Sequence, residues 1–148
     1  MRAAEVIVCE RTSAWAVAFR RTWQTPGAGP SPPPLRLIET RSADECREEL
    51  AARPDAFVIV ELTPERCDAA LDLILHVTQR CPLARSGVVA DRQLAAYAEL
   101  AREVGALGFV TSPRRLAGLC ALAIRHAALR RPSGLSLREQ IWADLPWA

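Results

Sequence analysis

Short apolar runs and helical-period stripes alternate five times along the chain. Val6–Cys9 is a β-branched run of strand length. Trp15, Phe19 and Trp23 follow at a spacing of four, on one face of a helix that Thr12 or Ser13 is expected to cap. Leu35–Ile38 predicts a second strand, and Ser42-Ala-Asp-Glu45 is a capping box that opens a helix ending near Arg53-Pro54. Ala56–Val60 is the most strongly apolar strand. Thr63-Pro64-Glu65 then caps and opens a helix on which Leu71, Ile74, Leu75 and Thr78 share a face, and Cys81-Pro82 ends it. Ser86–Ala90 predicts a fourth strand. Leu94, Tyr97, Ala101 and Val104 mark the next helix, terminated by Gly105. Leu107–Thr111 predicts a fifth strand, and Leu116, Leu119, Cys120, Ala123 and Ala127 stripe a last helix that stops before Pro132.

Strands joined by helices run parallel, and their helices cover both faces of the sheet. Continuous apolar runs, rather than alternating ones, agree with burial on both faces. The pattern therefore predicts an α/β fold of five βα units within residues 1–131. Pro26–Pro34 holds too much Pro, Gly and Ser for a helix or central strand and reads as a long surface loop. Residues 132–148 form a separate C-terminal tail with a heavy apolar load, including Ile141, Trp142, Leu145 and Trp147.

Composition narrows the function classes. The 148 residues suit one domain, and 50% hydrophobic residues argue against wholesale disorder. No apolar run approaches the roughly 20 residues of a membrane span. The N-terminus lacks a secretory signal core, so a cytoplasmic protein is expected. A net charge of +2 disfavours nucleic acid as the partner. All basic residues are Arg, so neither a Schiff base nor a Lys ammonium is available. The five cysteines show no metal-ligand spacing, and reduced thiols are the expectation. No metal, cofactor or enzymatic activity is expected.

Residues 105–113 read Gly-Ala-Leu-Gly-Phe-Val-Thr-Ser-Pro: a helix-ending glycine, a short strand and a proline before an Arg-rich helix. This segment, with the order of elements over residues 5–131, resembles the response-regulator receiver (CheY-like) domains. The resemblance implies a flavodoxin-like, doubly wound sheet of five parallel strands, with ligands beyond the strands' carboxyl ends. In that family the crevice holds an acidic pair that binds Mg²⁺, a phosphoacceptor Asp, a Thr or Ser, and a Lys followed by a cis-Pro. Carried over by element ends, the acidic pair falls on Cys9 and Glu10 and the phosphoacceptor on Glu61. The Thr/Ser falls on Ala90, the Lys on Ser112, the cis-Pro on Pro113 and the switch aromatic on Phe109.

Almost every chemical type is thus replaced. A Cys weakens the hard oxygen site that Mg²⁺ prefers. Glu61 is a methylene longer than Asp, which misplaces the attacking oxygen. Ala90 donates no hydrogen bond, and Ser112 carries no charge for a transferred phosphoryl group. The expectation is a degenerate receiver that does not phosphorylate. Two readings of Glu61 stay open: an imitation of a phosphorylated Asp, or a solvated carboxylate at a spent site. Asp91 could return negative charge to the crevice.

Cys9 could be a redox-sensing thiol, but a structural thiol is the simpler reading because Glu10 and Glu61 oppose a thiolate. His76 and His126 lack a partner nucleophile. Arg114, Arg115, Arg125, Arg130 and Arg131 cluster around the last helix, and a solvated face explains them better than nucleic acid does. The tail is either a helix packed back on the domain or a docking motif with aromatic anchors.

The leading expectation is a signalling module that works by protein–protein contact through Phe109, Arg114, Arg115, Trp142, Leu145 and Trp147. The helix 4–strand 5–helix 5 face could also serve a homodimer. The alternatives are a phosphorylatable receiver with unusual residues, or a small-molecule-binding flavodoxin-like module.

Overall fold

A computed structural model describes residues 2–25, 27, 31–129, 137–143 and 145–146. The five apolar runs are strands: β1 (Ala4–Cys9), β2 (Leu35–Thr40), β3 (Phe57–Leu62), β4 (Arg85–Ala90) and β5 (Phe109–Val110). They form one parallel sheet in the order β2-β1-β3-β4-β5. Helices α1 (Ala14–Gln24), α2 (Ala43–Ala52), α3 (Cys67–Arg80), α4 (Ala98–Glu103) and α5 (Ala117–Leu129) connect or follow the strands, and α6 (Leu137–Ala143) lies in the tail.

Successive side chains of a strand point to opposite faces, and both faces here are covered. On β1, Ile7 and Cys9 join the core under α2 and α3, while Val6 and Val8 join the core under α1 and α5. On β3, Val58 and Val60 go one way and Phe57 and Ile59 the other. Every one of these β3 residues is at most 1% exposed. Full burial of such a side chain contributes about 1.5–3 kcal/mol, so β3 anchors the molecule.

Helix starts follow the sequence in part. Ser42 caps α2 by accepting from the Glu45 N–H at 3.2 Å, and the Glu45 carboxylate accepts from the Arg41 N–H at 2.9 Å. Neither Ser13 nor Thr63 makes the expected side-chain cap. The segment after Thr63 is a 3₁₀ turn, Pro64–Arg66, that leads into α3. The helix expected from Leu94 begins as a 3₁₀ stretch, Arg92–Tyr97, and becomes α4 only at Ala98.

The fifth strand is shorter than the apolar run predicts. Leu107 is half exposed at the sheet edge, and regular pairing is confined to Val88↔Phe109 and Val89↔Val110. Gly105 carries the positive φ of 116° expected where a helix turns into a strand. A Cβ there would run into the Thr78 side chain. In the Pro-rich loop, the Trp23 indole Nε1 donates to the Pro33 carbonyl at 2.9 Å.

Candidate functional site

The strand order reverses between β1 and β3, and the crevice opens there beyond the carboxyl ends of the strands. An open cleft of about 550 Å³ is lined there by Arg11, Thr12, Glu61, Ala90, Asp91 and Pro113 among others. Asp91 thus faces the crevice, while its carboxylate also accepts from the Arg92 N–H at 3.0 Å.

Glu10 is only 1% exposed. Its two carboxylate oxygens accept from the first free amides of α1: Trp15 N–H at 3.1 Å and Ala16 N–H at 2.7 Å. Glu10 therefore satisfies this helix start together with Thr12, whose Oγ1 accepts from the Ala14 N–H at 3.3 Å, while the Ser13 side chain makes no cap. Burial pushes its carboxyl above the ordinary carboxylate range, against the pull of these two amides, and Glu61 and Glu39 add to the upward shift.

Glu61 is half-buried, and its Oε1 accepts from the Arg11 N–H at 3.2 Å. The Arg11 guanidinium reaches Glu65 at 3.4 Å. Ala90 is buried. Ser112 accepts from the Arg114 N–H at 3.3 Å and caps the 3₁₀ turn Pro113–Arg115. No cis peptide bond occurs among the described residues, so Pro113 does not follow the cis geometry that the resemblance implies; it takes the first position of this turn.

Cys9 points to the other side of the sheet end, toward Cys46 and Thr40. These two side chains and the nearby Arg66 charge outweigh burial and bring its thiol down to about 7. The Cys46 thiol is pushed strongly up, first by the neighbouring Cys9 thiol and then by burial. The acid that opposes a Cys9 thiolate is Glu45 rather than Glu10 or Glu61, and it is outweighed by Cys46, Thr40 and Arg66, whose proximity the sequence did not reveal. Their only prior signal was the inward stripe of α2, with Cys46 and Leu50 four residues apart.

The magnesium of the resemblance needs several converging oxygens. Glu10 spends both oxygens on α1, and Cys9 turns toward Cys46. Among the described residues no three His, Cys, Asp or Glu side chains converge as a metal site. The residues present do not fit that ion.

Phe109 is half-buried against the α2–α3 core, and Arg114 and Arg115 are exposed on the turn before α5. In the tail Trp142 is 54% exposed, Leu145 is half-buried, and Trp147 lies outside the described residues. His126 is a fold residue: its Nε2 lies 2.8 Å from the Asp55 carbonyl oxygen, and its ring contacts Phe57.

No family model matches the sequence, and no curated protein matches it either. Solved structures do match by shape. A response regulator from Thermotoga maritima superposes with a TM-score of 0.63 at 18% identity, covering 86% of this chain and 99% of that one. A response regulator receiver domain protein from Clostridium thermocellum gives 0.64 at 15% identity, covering 85% and 98%. An orphan response regulator of H. pylori gives 0.62 at 18% identity, covering 87% and 100%. With the strand order and the crevice at the β1/β3 reversal, these likenesses establish that the chain has the flavodoxin-like fold of the response-regulator receiver domains.

Proposed function

We propose that the chain is a receiver-like regulatory module that acts by protein–protein contact and takes no phosphoryl group. One observation carries the reading: the carboxylates at the acid and acceptor positions are held by the chain's own backbone. Glu10 caps α1 with both oxygens, and Glu61 binds the Arg11 amide. A carboxylate so engaged is a structural ligand, and an attack through Glu61 Oε1 would first break that contact. Ala90 and Ser112 supply neither the hydrogen bond nor the charge that a transferred phosphoryl group needs. Glu61 is accordingly a positioning carboxylate for the β1–α1 turn, rather than an imitation of a phosphorylated Asp.

Residues 1–131 form the module, and residues 132–148 extend it as a docking tail. The contact surface combines Phe109, Arg114 and Arg115 with Trp142, Leu145 and Trp147 of the tail. Incubation with acetyl phosphate, or with beryllofluoride and Mg²⁺, tests the chemistry. Intact mass should show no adduct. A stoichiometric adduct on Glu61, lost in Glu61→Gln, would establish a working receiver with unusual residues instead.

A further inference from the structure

We propose that Cys9 and Cys46 are a redox-active dithiol that a hydroperoxide closes to a disulfide, locking the end of β1 to α2. The two thiols belong to one buried cluster, and each perturbs the other. Cys9 is the last residue of β1, in register with Thr40 of β2 and Val60 of β3. Cys46 sits one turn into α2 on its inward face and is fully buried. The Thr40 hydroxyl donates its one proton to the Val8 carbonyl at 3.1 Å and lies beside both thiols. A disulfide requires the two sulfurs to close to about 2.05 Å.

Access comes from a small cavity of about 30 Å³ lined by Cys9, Ala43, Val60, Arg66 and Ala70 among others. It has room for a molecule the size of water or hydrogen peroxide. Cys9 is 8% exposed and Cys46 is not exposed at all, so the first attack belongs to Cys9. The charges around it are mixed. Arg66 favours a Cys9 thiolate, Glu45 opposes it, and Glu10 and Glu61 line the same cavity. The balance still leaves the Cys9 thiol near 7, in the range of reactive cysteines.

The chemistry closes without a further reagent. The Cys9 sulfur attacks one peroxide oxygen, the O–O bond breaks, and the departing hydroxide takes the thiol proton to leave as water. The Cys46 sulfur then attacks the Cys9 sulfenic acid. The S–O bond breaks, and hydroxide leaves as a second water with the Cys46 proton. Two thiols lose two electrons, and one peroxide is reduced to two waters.

The test uses the full chain with Cys67→Ser and Cys81→Ser, which removes the two half-buried thiols that could scramble. Reduced protein is exposed to hydrogen peroxide, quenched in acid and mapped by mass spectrometry without reduction. The expected result is a mass loss of two hydrogens and a Cys9–Cys46 cross-linked peptide, both reversed by dithiothreitol. Adding Cys46→Ser, with Cys46→Ala as a second variant if folding fails by circular dichroism, should abolish the cross-link. Cys9 should then stop at a sulfenic acid that dimedone traps. Arg66→Met should slow closure several-fold. The proposal is overturned if both thiols stay free to alkylate after oxidation, if Cys9 oxidises without bonding to Cys46, or if the cross-link forms only in denaturant.

Discussion

At the residue scale, Glu10, at the crevice end of β1, is part of the scaffold. Its carboxylate accepts from the Trp15 and Ala16 amides at the start of α1, beside the Thr12 hydroxyl that accepts from the Ala14 amide. Glu10→Ala leaves the Trp15 and Ala16 amides without their acceptor in a buried place. Loss of a cap costs about 1–2 kcal/mol, and urea denaturation at pH 7 should show a loss of that size. The upward shift of its carboxyl fixes a second sign. As pH rises through the ordinary carboxylate range, the unfolded chain ionises Glu10 before the folded chain does. This residue's contribution to stability is therefore greatest at low pH and declines until the folded carboxyl has also ionised. Glu10→Gln should remove that decline from the stability–pH profile, and an unchanged profile would refute the assignment.

At the scale of elements, the sheet is uneven. β1 and β3 each pair on both sides, whereas β5 has two residues in regular pairing and only β4 beside it. Its residues Phe109 and Val110 are half-buried, while the apolar residues of β3 are essentially sealed. Protection follows the local free energy of opening. Amide hydrogen exchange should therefore release Phe109 and Val110 well before Val58 and Ile59. Equal protection would mean that β5 opens only with the whole domain. A weak edge strand beside exposed Arg114 and Arg115 also suits a surface that changes when a partner binds.

At the scale of the whole molecule, the crevice and the proposed contact surface use different residues. Around the crevice Glu10, Glu61 and Ser112 are engaged in internal contacts, while Ile141 and Trp142 of the tail are more than half exposed. In the proposed function, binding runs through the tail and the α4–β5–α5 side. Deleting residues 132–148 should abolish capture of the partner in a pull-down and leave the thermal midpoint of the domain nearly unchanged. Capture that survives the deletion would remove the tail from the contact surface. A full chain that stays monomeric across concentration, read by light scattering, would likewise remove the homodimer from the α4–β5–α5 face.

Local patterning determined the elements: apolar runs of strand length, the Ser42–Glu45 box, the Gly105 turn and the helical stripes all act over a few residues, so they are legible in the chain. The fold class followed, since five βα units leave few ways to bury both faces of a sheet. The length of β5 was not legible, because edge exposure depends on which strand has only one neighbour. Nor were the contacts that define the site. That Glu10 turns back to α1, that Arg11 meets Glu61 across fifty positions, and that Cys46 comes to rest on Cys9 are consequences of packing. Residue types told which groups of the resemblance are replaced; only the tertiary structure decided what the side chains present hold, because their partners lie on other elements.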